Sequence, residues 1–141
     1  MKKLVLCWVI VLLFLTGCSN SNVPRIEDYT WIMTSVQSKE ASGQVVAFGD
    51  RGSSTLASAK QIELTCTAQN GNLTFNDQIN HKTYTGTYKL SETDPQSSIY
   101  QVVVEGKEGV AVVAMTTYQD GSKEPTFIIN LDEYTVNFFA K

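Results

Sequence analysis

The chain has 141 residues, of which 43% are hydrophobic and 18% charged, with a formal net charge of −3. That length makes one domain with a real core. A mildly acidic balance with only two arginines, Arg25 and Arg51, excludes the basic patch that nucleic acid requires.

At the N-terminus, Met1-Lys2-Lys3 supplies a positive start and residues 4–15 are apolar without a break. As a helix this run reaches about 18 Å, short of the roughly 30 Å of hydrocarbon that a spanning helix must cross. It reads as the apolar part of a signal peptide. The following Leu15-Thr16-Gly17-Cys18 resembles the lipobox of bacterial lipoproteins. The resemblance implies that residues 1–17 are removed and that Cys18 carries a thioether-linked diacylglycerol. The protein would then be lipid-anchored on the extracytoplasmic face of a cell membrane, two acyl chains being what stable anchoring takes. Losing Lys2 and Lys3 moves the net charge from −3 to −5. Cys7 leaves with the signal, so Cys66 remains as the only free thiol, with no intramolecular disulfide or Cys-based zinc site. Residues 18–28, including Pro24, read as lipidated N-terminus and polar tether.

From residue 29 onward the signal is β. Residues 29–36 are rich in aromatic and β-branched types, the composition of a strand. Residues 38–60 are looser: 45–48 can form a short strand, 51–55 an exposed loop, and 56–60 one helical turn. Residues 61–68 alternate, with Ile62, Leu64, Cys66 and Ala68 on one face, as in a half-buried strand. Asn70-Gly71 is a strong hairpin signal because both residues must take positive φ. The strand 72–75 returns. Residues 82–90 put Tyr84, Gly86, Tyr88 and Leu90 on one face. A polar turn is predicted over 91–98. Strands at 99–105 and 110–118 flank Gly106-Lys107-Glu108-Gly109, and strands at 126–131 and 134–140 flank Asp132-Glu133. Asp120-Gly121 opens the loop between these two pairs. No convincing amphipathic helix follows Cys18.

Eight or nine short strands joined by tight turns predict an all-β domain over residues 29–141. Consecutive hairpins leave two raw edges, and an antiparallel up-and-down barrel of about eight strands removes both. A Greek-key sandwich is the alternative. Trp31 in the first strand, Gly86-Thr87-Tyr88 mid-chain and Asn137-Phe138-Phe139-Ala140-Lys141 at the end are similar to small bacterial lipocalin-like lipoproteins, within the calycin group. That resemblance implies a barrel, often with a cavity open at one end and a lid in the region of 38–60. Two positions depart from the lipocalin pattern. Tyr29 stands where a Gly precedes the Trp, and Lys141 is the nearest cation to the place of the late-strand Arg.

His81 lies in a polar connection with only Asp77 nearby, so neither a metal site nor a catalytic base is expected. Cys66 reads as a buried structural thiol. Acids such as Asp77, Glu92, Asp94, Glu105, Glu108, Asp120, Asp132 and Glu133 read as solvated, and Asn72-Leu73-Thr74 as a chance glycosylation triplet. With no nucleophile elbow, phosphate loop or metal cluster, an enzyme is not expected, nor is a cofactor. The aromatics are the more informative set. Trp31, Met33, Tyr84, Tyr88, Tyr100, Met115, Tyr118 and Phe127 are candidates to line a pocket, or else they fill the core. Two functions follow. One is a membrane-anchored barrel holding a small apolar or amphipathic ligand, for which a pocket of about 300 Å³ or more is needed. The other is an envelope protein–protein interaction or inhibitor module with a filled barrel and an exposed apolar patch.

Overall fold

Alternating in/out residues from Trp31 onward form ten strands: β1 (Trp31–Ser38), β2 (Gln44–Phe48), β3 (Lys60–Gln61), β4 (Leu64–Gln69), β5 (Asn72–Asp77), β6 (Lys82–Thr93), β7 (Ser97–Val104), β8 (Lys107–Thr117), β9 (Lys123–Leu131) and β10 (Tyr134–Ala140). This computed structural model describes residues 23–141, so the stretch that resembles a lipobox, with Cys18, lies outside the described residues. From β4 to β10 each strand pairs antiparallel with the next, and β10 pairs with β1, which meets β4 through Trp31↔Cys66 and Ile32↔Thr65. The result is a closed, eight-strand antiparallel barrel rather than a sandwich. Asn70 (φ 51°) and Gly71 (φ 78°) make the β4–β5 turn in the left-handed conformation that their sequence signals.

Several boundaries move from their sequence-based positions. The first strand starts at Trp31, not Tyr29. Residues 56–60 make a single i→i+3 turn, Ala59 N–H to Leu56 O, rather than a helical turn. The polar turn at 91–98 shrinks to three residues, because β6 runs to Thr93 and β7 starts at Ser97. The turn expected at 106–109 is Glu105-Gly106, both at positive φ, while Lys107, Glu108 and Gly109 are already in β8. Cross-strand pairing absorbed polar residues whose composition alone reads as loop.

Two features give the barrel unlike ends. At the base, the stretch read as tether is packed against the barrel from Val23 onward. Pro24 is buried and Ile26, in a short 3-10 turn (Ile26–Asp28), is 0% exposed. Ile26 closes the base through two hydrogen bonds, its N–H donating to Tyr100 Oη (3.1 Å) and its carbonyl accepting from Trp31 Nε1 (2.8 Å).

At the other end, the mouth, the wall forks. A bulge between Met33 and Ser35 re-aims β1, which pairs with β4 in its first two residues and with β2 from Ser35 onward. β2 is closed on its far side by parallel pairing with β3, which leads directly into β4. Gly49 sits in the crotch: its N–H donates to Thr34 O (2.8 Å), and a Cβ there would lie 2.2 Å from Met33 O and 2.9 Å from Ile62 O. A Cβ on Gly52 would lie 1.9 Å from Thr34 O. Only glycine allows this approach of loop to strand.

The interior is filled by rings in contact. Tyr29 meets Trp31 edge-on (5.2 Å between centroids), Trp31 leans on Phe127 (5.3 Å), Phe127 stacks on Phe138 (5.1 Å), and Phe138 meets Phe75 (6.2 Å). This column runs from base to mouth. Each fully buried ring or large aliphatic contributes about 1.5–3 kcal/mol through removal from water.

Candidate functional site

The interior space that the rings leave is a cavity of about 140 Å³ at the mouth, lined by Leu64, Phe75, Tyr84, Val104, Ile129, Leu131 and neighbours, with no polar surface exposed into it. It is less than half the smallest volume expected of a drug-sized ligand pocket. Its size is that of a dry cavity that admits one benzene-sized group. Among the described residues no buried side-chain nitrogen or oxygen lacks a hydrogen-bond partner. An occupant of the mouth would meet apolar walls, with Glu105 the one charged residue in the lining.

Of the eight side chains expected to line a pocket, Tyr84 alone lines this cavity. Trp31, Met33, Tyr100 and Phe127 are 0–1% exposed and are the packing itself. Tyr88 is half-buried edge-on to Tyr100 (5.8 Å), and burial pushes its phenol above the ordinary range. Met115, near the base end of β8 opposite Pro125, is remote from the mouth. Tyr118 is a correction: it lies beyond the last paired residue of β8, 45% exposed, its hydroxyl donating to Glu124 Oε2 (3.0 Å). Alternation of period two sets Tyr118 on the face opposite Met115, so the two cannot both point into the lumen. Missed were Leu64, Phe75, Val104, Ile129 and Leu131. Their signal is alternation at the mouth ends of their strands, which aliphatic residues and Phe75 share with ordinary core positions.

The segment 38–60 contributes no residue to this cavity and is not a lid over it. Its loop is strapped to the outer wall, where the Arg51 guanidinium lies 3.9 Å from the Phe139 ring centroid and 2.9 Å from Glu124 Oε1.

Cys66 is 0% exposed, and burial pushes its thiol far above the ordinary range, so the thiolate needed for reaction is not formed. His81 occupies the tight β5–β6 connection at φ 53° and is exposed. Asp77 is not solvated as expected but 4% exposed. Its Oδ1 accepts from Ile79 N–H (3.1 Å) and Asn80 N–H (3.0 Å), and its Oδ2 from Asn80 Nδ2 (2.7 Å). Burial alone would raise this carboxyl, but the hydrogen bonds from Asn80 and Ile79, with Lys82 nearby, hold it below the ordinary carboxylate range. Among the described residues no group of three or more His, Cys, Asp or Glu could hold a metal, and no helix is long and apolar enough to cross a membrane.

Outside the barrel, a second apolar surface lies on β7, β8 and β9. Cross-strand pairing sets Ile99, Val112 and Ile128 in one outward row. Towards the mouth stand Val110, 45% exposed, and Val103, 37% exposed. A shallow depression of about 730 Å³ covers the adjoining face, where Lys89 and Gln101 border these valines on one side and Glu108 and Asp132 on the other. No family model, curated protein or solved structure matches the chain.

Proposed function

We propose that the protein is an interaction module of a bacterial envelope, held through a lipidated Cys18 on the extracytoplasmic face of the membrane. Its filled barrel docks a partner protein on the outward face of β7–β9. The observation that carries this reading is the pairing of a ring-filled interior, with a cavity of about 140 Å³ at its mouth, with five outward β-branched residues at 99, 103, 110, 112 and 128. An exposed apolar patch rimmed by charge is how soluble surfaces mark a protein contact. The anchor rests on the lipobox alone. The packing of Val23 and Ile26 on the base leaves only residues 19–22 between Cys18 and the barrel. Four residues span at most about 14 Å, so the base is held next to the bilayer and the mouth faces away.

Site-specific photo-crosslinking in the native envelope tests the docking reading. A crosslinker at Val103 or Val110 should give one discrete protein adduct, and a crosslinker at exposed Thr67 on β4 should not. Adducts of the same pattern from all three positions, or from none, would sink the proposal.

The mouth cavity supports a narrower form of the small-ligand reading, in which the ligand is a single apolar ring or a short branched hydrocarbon. Indole or benzene titrated against the full chain should shift the Tyr84 and Leu131 resonances. Retention of a lipid-sized mass by the native protein would contradict the volume.

A further inference from the structure

We infer that the outer pocket at the fork of the wall binds a protonated primary amine carried on an alkyl stem. The pocket has a volume of about 370 Å³, within the range of small-molecule sites and larger than the mouth cavity. It lies where β1, β2 and β4 diverge. Ile32 and Phe48 form an apolar floor, while Asp50, Gln61, Glu63 and Gln78 stand around the rim.

The rim is composed for a cation that the chain does not itself supply. Among the described residues the ion pairs are Arg51–Glu124 and Lys107–Glu133, and neither involves Asp50 or Glu63. Arg51, the one cation in the lining, is held by Glu124 and by the face of Phe139. Asp50 uses one oxygen on the Arg51 N–H (3.1 Å), and no side-chain hydrogen bond among the described residues engages Gln61, Glu63 or Gln78. An ammonium carries three donors and no acceptor. Two carboxylates and two amide oxygens provide acceptors for all three, and a hydrocarbon stem lies against Ile32 and Phe48 as lysine stems do on apolar surface. A bare metal ion would leave that floor uncovered, and an anion would meet the carboxylates.

The walls are rigid. Gly49 and Gly52 seat their loop on the Met33 and Thr34 carbonyls with no room for a Cβ, and Arg51 is fixed at φ 59° between them. The backbone of the site is therefore already placed, and binding has to order only the exposed side chains of the rim. It is independent of the docking face on β7–β9.

Calorimetry and side-chain amide NMR on the full chain in detergent test the inference, with pentylamine, 1-pentanol and the tripeptide Ala-Lys-Ala as probes. Pentylamine should bind at least about tenfold more tightly than 1-pentanol, the factor one charge-assisted hydrogen bond confers. It should shift the amide resonances of Gln61 and Gln78. Glu63→Gln and Asp50→Asn should each weaken it several-fold, with unchanged melting temperature because both side chains are exposed. Tighter binding of Ala-Lys-Ala would identify a polypeptide lysine as the source of the amine, and tighter binding of pentylamine a free amine. Equal affinity for the alcohol, no effect of Glu63→Gln, or shifts at Tyr84 and Leu131 instead would overturn it. Val110→Asp should leave amine binding unchanged while abolishing the crosslink at the docking face, so the two readings fail separately.

Discussion

Asp77 shows how a single side chain closes a turn. Its carboxylate takes the Ile79 and Asn80 N–H groups of the connection that follows β5, plus the Asn80 side-chain amide, at a point where the chain must reverse within four residues. Asp77→Ala should cost about 1–3 kcal/mol, the penalty of leaving such donors unsatisfied, read as a lower urea midpoint. Because the folded-state carboxyl titrates below its unfolded value, its contribution is complete above the ordinary carboxylate range. It is lost as pH falls through the depressed value. Melting temperature in the wild type should therefore drop more steeply on acidification than in Asp77→Ala. Asp94 and Asp120 titrate in the same direction through hydrogen bonds from Ser97 and Ser122. Sequence reading placed Asp77 with the solvated acids, because a carboxylate that bonds to its own turn has the same local composition as one that bonds to water. Cys66 was legible for the opposite reason: alternation fixed its face, and the face fixed its chemistry.

At the scale of the element, strand rhythm was readable and strand ends were not. Alternation over residues 61–68 survives as the inward set Ile62, Leu64, Cys66 and Ala68, although the expected single strand breaks at Ile62-Glu63 between β3 and β4. The turn between β7 and β8 is centred on Glu105-Gly106 rather than spread over 106–109, a shift without a local signal because glutamate at positive φ has no sequence signature. The fork was also invisible, since nothing local to Thr34 announces that β1 changes partners there. Gly49→Ala should destabilise by several kcal/mol or prevent folding, because two backbone carbonyls, not flexible side chains, occupy the space of the new methyl. Circular dichroism melts would check it, with Gly43→Ala, where a Cβ has open space and only the positive φ (78°) is strained, expected to cost less. The base turn reads as spacer in the sequence because residues 19–27 are polar on average, while Val23, Pro24 and Ile26 do the packing. Ile26→Ala should cost about 2–4 kcal/mol. It should also speed tryptic cleavage at neighbouring Arg25, which the packed turn protects in the wild type.

For the molecule as a whole, the closed barrel was expected from the edge problem, and the pairing of first and last strands carries it: Trp31 meets Ala140 and Ser38 meets Tyr134. Closure joins residues a hundred positions apart, so folding should be slow, in the millisecond-to-second range of non-local β topologies. A chain lacking residues 134–141 should not fold, which gel filtration and near-ultraviolet dichroism would reveal. The division of the interior between packing and cavity could not be read in advance. It depends on which rings meet across the lumen, as Phe127 and Phe138 do.

Counting around the circumference gives eight strands at the base, but the intrusion of β2 makes nine beside the mouth. Since girth grows with strand number, the molecule is a flared cup. Its rim is tailored by one intruding five-residue strand, while the stem beneath keeps its own dimensions. Lengthening or trimming that strand offers a way to reset the aperture without disturbing the foundation on which it stands.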